Sequence, residues 1–153
     1  MKEFDYDHDY KTLDFRDEET RKLYRIGRGE QGVLLVRPYT NLICAHWRFK
    51  TPVIATKSAN KIYSMFLDYM AHGDFVGMDM CRKFLEMGFT RSRRYANHHT
   101  GKKYDAEGNV RPQEKDHAHC KYAKSAQIFK KVRDIVAKSE TYVKMRKQWR
   151  ASE

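Results

Sequence analysis

The sequence predicts an α+β fold: a single domain over residues 1–153, with an N-terminal β-hairpin or small antiparallel sheet packed on three to four helices. Three observations predict it. Two short β-type runs, Leu23 to Ile26 and Val33 to Val36, flank a glycine-rich link and read as a hairpin. The stretch "NLICAHWRF" alternates, with Ile43, Ala45, Trp47 and Phe49 on one face and Cys44, His46 and Arg48 on the other. From Thr51 onward the apolar spacing becomes helical.

The first twenty residues carry eight acids against three bases, interleaved with Phe4, Tyr6, Tyr10 and Phe15. Aromatics at this density predict a segment pinned onto the domain rather than a polar tail. Pro38 is expected to end the second strand, because proline has no N–H for a ladder. A helix is predicted from Thr51, with threonine as N-cap and Pro52 at the first helical position. Ile54, Ser58, Ile62, Met65, Phe66 and Tyr69 would form its buried stripe, and Gly73 its stop. A second helix is capped by Asp74 and stops at Gly88, with Cys81 on its apolar face; Thr90 then caps a short helix "RSRRYAN". Residues 98–120 read as a long polar loop. A basic helix closes the chain over 121–150, with ten bases and two acids.

The net charge is +11 and the isoelectric point near 9.6. Because the first twenty residues are acidic, the remainder is more basic still, which points to a polyanionic partner: nucleic acid or a phosphorylated small molecule. No apolar run has membrane-spanning length, and the N-terminus lacks a signal-peptide segment. Three cysteines at unrelated spacings predict no disulfide framework, so a cytoplasmic location is expected.

"GRGEQG", Gly27 to Gly32, has the letters of a dinucleotide fingerprint. That motif must open a helix, whereas a β-type run follows here; a tight turn using glycine's positive φ is the expectation. An anion nest beside Arg28 is a weaker one. The stretch "GFTRSRRYANHHTGKKYD" concentrates bases, aromatics and glycine. On a helix Arg91, Arg94, Tyr95 and His98 would share a side, with Arg93, Lys102, Lys103 and Tyr104 close in sequence. Arginine forks grip phosphate, and aromatic rings stack on bases. The candidate ligand-binding set is therefore Arg28, Arg48, Arg91, Arg93, Arg94, Tyr95, His98, Lys102, Lys103 and Tyr104. Pairing of Arg91, Arg93 and Arg94 with the N-terminal acids is the competing, structural expectation.

His98, His99, His117, His119 and Cys120 match no zinc-ligand spacing, so neither a metal nor a cofactor is expected. Asp74 and Asp79 read as helix cap and first-turn dipole partner. No catalytic triad, carboxylate pair or P-loop stands out, and no catalytic residue is assigned.

The blocks "FDYDHDYKTLDFR", "YRIGRGEQGVLLVRPY", "HWRFKTP", "GDFVGMDMCRKFLEMGFTRSRRYAN" and "GKKYD" resemble a family of short, uncharacterised cytoplasmic proteins, a domain of unknown function found in bacteria, fungi and phages. The resemblance spans Phe4 to Asp105. It implies a cytosolic, stand-alone domain and brings no activity or catalytic residue. The expected function is binding of nucleic acid or a phosphorylated ligand through a basic-aromatic surface. The alternatives are a small enzyme on a phosphorylated substrate, which would join Arg28, Arg48, Arg91 and His98 in one pocket, and a domain that meets an acidic protein partner.

Overall fold

A computed structural model describes residues 2–153 and is helical, with no β-strand among them. Two short helices, α1 (Glu18–Arg21) and α2 (Tyr39–Cys44), precede four long ones: α3 (Pro52–Ala71), α4 (Phe75–Asn97), α5 (Lys121–Ala137) and α6 (Glu140–Ser152). The expected α+β class, with its hairpin or small sheet, is therefore wrong. The only β-type contact among the described residues is an isolated bridge between Tyr104 and Val110.

The failure has a physical cause. Backbone polar groups must find partners, but a ladder is only one way to supply them. Over residues 24–38 successive turns satisfy the amides: Val33 N–H donates to Glu30 O, and Leu35 N–H to Gly32 O. Cationic side chains take the carbonyls. Arg150 donates to Gly27 O at 2.8 Å, Arg82 to Gly29 O at 3.0 Å and Lys83 to Gln31 O at 2.7 Å. Tyr24, Ile26, Val33 and Val36 are buried, so the two runs were apolar for the core and not for a sheet. Short apolar runs do not discriminate the two. Gly32 has φ +76°, and a side chain there would strike the Phe4 ring, so glycine is required.

The predicted third strand is also replaced. Residues 39–44 form α2, which Pro38 precedes, and the chain then crosses the helices as a strap through Phe49. Ile43 is buried and Trp47 and Phe49 are half-buried, whereas Ala45 is exposed.

α3 begins where the sequence places it. Thr51 Oγ1 accepts from Ile54 N–H at 3.2 Å, and Pro52 opens the first turn. Ala55, Ser58, Ala59, Ile62 and Phe66 form its buried stripe. Gly73 at φ +65° ends the turn between α3 and α4, and Asp74 caps α4 by accepting from Gly77 N–H. α4 is the central helix and packs on α3 and most extensively on α5. It does not stop at Gly88. The residue is a notch in which the Phe129 ring of α5 sits, and a methyl group there would collide with that ring. The helix runs on through "RSRRYAN" to Asn97, and Thr90 caps nothing; its hydroxyl donates to Glu30.

Residues 98–120 are an irregular connection, as expected. The closing basic helix is two helices: Ser139 caps α6, its Oγ accepting from Tyr142 N–H at 3.4 Å. The N-terminal segment is pinned by Phe4, Tyr10 and Phe15, all buried, while Tyr6 stays exposed. No helix is long and apolar enough to cross a membrane.

Candidate functional site

Two polar clusters are closed by hydrogen bonds and ion pairs within the protein. At the start of α4, Asp74 also accepts from Arg21 at 2.8 Å and from the Tyr39 hydroxyl. One turn later Asp79 is fully buried. It accepts from Arg82 Nε at 2.8 Å, from the Tyr142 hydroxyl at 2.6 Å and from the Tyr24 hydroxyl. Burial pushes its carboxyl up, but Arg82 and Lys83 more than reverse this and, with the hydrogen bonds, hold it at about 2. Lys83 is buried as well, its ammonium 4.9 Å from the Phe4 ring centre and 4.8 Å from that of Tyr24. Burial lowers this lysine to about 7, with Asp79 opposing and Arg82 and Arg150 reinforcing the shift. From local pattern Asp79 reads only as a first-turn dipole partner of the helix. Its spacing to Arg82 and Lys83 resembles a solvated face, and nothing local shows that every side of this helix is covered.

Three amides of the glycine turn are already bonded inside the protein, which leaves fewer for an anion. Arg28 N–H donates to Gln31 Oε1 at 3.0 Å, Gln31 N–H to Arg28 O at 3.0 Å and Gly32 N–H to the Tyr6 hydroxyl at 3.1 Å. These amides are occupied inside the protein, and cations hold the carbonyls. Arg28 itself is exposed and pairs with Glu3 at 3.4 Å.

The predicted ligand-binding residues separate into distinct places. Arg28 and Arg91 line one groove, together with Glu30, Leu34 and Met87. Arg93 donates to Asn97 at 2.8 Å, and Arg94 is exposed. None of Arg91, Arg93 and Arg94 forms an ion pair among the described residues, so the N-terminal acids do not neutralise them. His98 is buried at the end of α4, withdrawn from the surface. Lys102, Lys103 and Tyr104 are exposed on the 98–120 loop, with the Lys103 ammonium 5.6 Å from the Tyr104 ring centre.

Arg48 and Tyr95 meet in a cleft of about 560 Å³, lined also by Trp47, Phe49, Lys50 and Tyr122. The strap carries Trp47, Arg48, Phe49 and Lys50 and is tied down at residues 46–48. Trp47 Nε1 donates to Phe84 O at 3.1 Å, and Ser58 of α3 links Arg48 N–H to His46 O. Phe49 lies 5.4 Å from Tyr95 and 5.2 Å from Trp47 between ring centres, and Tyr95 lies 5.3 Å from Tyr122. Gly101 of the loop lies against the hydroxyl end of the Tyr95 ring. None of the lining residues is acidic. Arg48 touches only the carbonyls of Cys44 and Trp47, so its charge has no carboxylate partner among the described residues. Tyr122, on α5, was not among the predicted site residues; only its place at the start of a helix after a loop was legible.

A second groove lies along α6, lined by Arg82, Tyr142, Arg146, Lys147 and Arg150. Arg82 and Arg150 are committed there to Asp79 and Glu153, leaving Arg146 and Lys147 as its free cations.

The chain is thus a helical domain that carries an acid-free aromatic cleft on its surface. The chain belongs to the family described as Domain of unknown function (DUF4385), which it matches over residues 5–152. The match extends beyond the Phe4–Asp105 blocks, through α5 and α6, so Tyr122 and the α6 groove lie within the family's domain. No curated protein and no solved structure matches the chain.

Proposed function

We propose that the cleft between the strap and the α4–α5 pair binds a nucleotide unit, with a base among the aromatic rings and a phosphate on the cations at its rim. The observation that carries this reading is the cleft itself. Trp47, Phe49, Tyr95 and Tyr122 line an open space beside Arg48 and Lys50, with no acid among the lining residues. Its volume falls within the usual range of ligand pockets. Aromatic faces take any base by stacking, worth about 1–3 kcal/mol per base, and the cations add a salt-dependent attraction. Arg94 and Lys121, both exposed on the helices that flank the cleft, extend the positive charge around it.

The nucleotide unit is either part of a single strand or free, and one experiment separates the two sources. Fluorescence anisotropy is followed for labelled single-stranded DNA, RNA and duplex DNA and for a mononucleotide across a salt series. The variants are Arg48→Ala/Lys50→Ala and, for the other groove, Arg146→Ala/Lys147→Ala. Single strands binding above duplex, with affinity lost in the Arg48/Lys50 variant, supports a strand-binding cleft. Tight mononucleotide binding with little gain from chain length supports a free nucleotide. Equal binding of duplex and single strand, lost only in the Arg146/Lys147 variant, contradicts the reading.

A further inference from the structure

The long loop brings together three side chains that are far apart in sequence. His99 follows the end of α4, Cys120 is the N-cap residue of α5, and Asp116 lies one turn before it. One donor atom from each lies within 4.8 Å of the others. Backbone hydrogen bonds hold the frame: Cys120 N–H donates to Asp116 O at 2.9 Å, and Glu114 N–H to Asn97 O at 2.8 Å. His99 is oriented from both sides. Its backbone N–H donates to Glu114 Oε2 at 2.8 Å, the Glu114 carboxylate stands 3.8 Å from Nδ1, and Asp116 Oδ1 stands 3.0 Å from Nε2.

We infer that His99, Asp116 and Cys120 bind a zinc ion, with water in the fourth position. The donor set selects the metal. Imidazole, carboxylate and thiolate together suit zinc, whereas magnesium and calcium take oxygen ligands. Metal–ligand distances of about 2.0–2.3 Å place tetrahedral donors roughly 3.3–3.8 Å apart, so the three need to close by about 1 Å. Side-chain rotation at this half-exposed to exposed site supplies that movement. The ion takes the place of the contact between His99 Nε2 and Asp116, the neutral ring carrying its proton on Nδ1, and Glu114 beside Nδ1 becomes the outer carboxylate that orients the ring. Binding releases the Cys120 thiol proton, and the thiolate and carboxylate together neutralise the metal charge. No short motif announces the site, because sixteen residues separate His99 from Asp116.

The consequence is a staple. Zinc joins the end of α4 to the start of α5 and closes the loop that carries Lys102, Lys103 and Tyr104. This inference does not rest on what the aromatic cleft binds.

The test uses the full chain, tag-free, stripped with a chelator and titrated with Co²⁺ and then Zn²⁺. The expected result is a single equivalent of Co²⁺ with tetrahedral visible bands and a thiolate charge-transfer band, displaced by Zn²⁺. Cys120→Ser removes the charge-transfer band, and both Cys120→Ser and His99→Gln weaken Zn²⁺ binding at least about tenfold. Cys44→Ser changes neither. His99 is exposed, so its variant leaves the folded protein available even if a Cys120 variant does not. Zn²⁺ also protects residues 98–120 from proteolysis in the parent chain only. Absence of the cobalt bands, or a band and a zinc affinity that survive in both variants, overturns the inference.

Discussion

The surroundings of Asp79 and the cleft around Tyr95 are built from the same residue types, aromatic rings beside arginine and lysine. Around Asp79 the set is closed. A buried carboxylate sits at its centre, Tyr24, Tyr142 and Arg82 bond to it, and Lys83 is satisfied by Gln31 O. Around Tyr95 the lining includes no acid, and Arg48 finds only two carbonyls. The first arrangement stabilises the fold and has nothing left to offer a ligand. The second leaves Arg48 without a carboxylate partner at the edge of an open aromatic cleft. The difference between the two is an internal acid and not the count of basic residues.

The largest test of the closed cluster is Asp79→Ala. It strips the partner from Arg82 and leaves two tyrosine hydroxyls unpaired in the interior, which is expected to cost about 3–5 kcal/mol. Urea unfolding of parent and variant measures it, and a loss below about 1 kcal/mol would show that the cluster relaxes freely. Next is Gly88→Ala, a change that ordinarily favours a helix by roughly 1 kcal/mol. Here the methyl group meets the buried Phe129 ring, and the net effect is a loss of about 1–3 kcal/mol. A raised melting temperature would mean that α4 and α5 are not in this register.

A pH series sharpens the same cluster. Lys83 is lowered to about 7, well below the ordinary lysine value, so above pH 7 the unfolded chain binds more protons than the folded one. Its contribution to stability therefore rises with pH between about 7 and 10. Asp79 works at the other end: held at about 2, it contributes stability above about pH 4 that is lost as the pH falls towards 2. Stability measured against pH in Lys83→Met should lose the alkaline rise and show a smaller acid decline, because Arg82 is then the only one of the two cations holding Asp79 down. The smallest effect on stability belongs to the cleft. Arg48→Ala/Lys50→Ala should leave unfolding within about 0.5 kcal/mol of the parent, because both side chains are exposed, while lowering the salt slope of single-strand binding by up to about 1.4.

The same contrast explains what could be read from the sequence. Thr51-Pro52, Gly73 and Asp74 signal α3 and the start of α4 through local chemistry, and the structure uses all four as read. Ser139 followed by Glu140 is an equally local cap signal for α6, masked by the apolar stripe that continues across it. The glycine segment misled because its carbonyls are satisfied by Arg82, Lys83 and Arg150, and the last of these lies more than a hundred residues away. Gly88 read as a stop because only the position of Phe129 makes it a notch. In the candidate site, Arg48 and Tyr95 were visible as types, but their meeting with Trp47, Phe49 and Tyr122 depends on how the strap crosses α4 and α5. The same crossing separates them from Arg28 and Arg91.

The proposed ligand would place a base in the cleft beside Trp47. The chain has two tryptophans, and the other, Trp149, packs on Phe75 at 5.2 Å between ring centres, with its Nε1 donating to Tyr24 O. In a Trp149→Phe background the emission comes from Trp47 alone, and it can be followed while an oligonucleotide or mononucleotide is added, with a base-free sugar phosphate as control. Saturable quenching by the base-carrying ligands and not by the sugar phosphate is the predicted result. Unchanged Trp47 emission under conditions where anisotropy shows binding would contradict the account and move the ligand elsewhere on the surface.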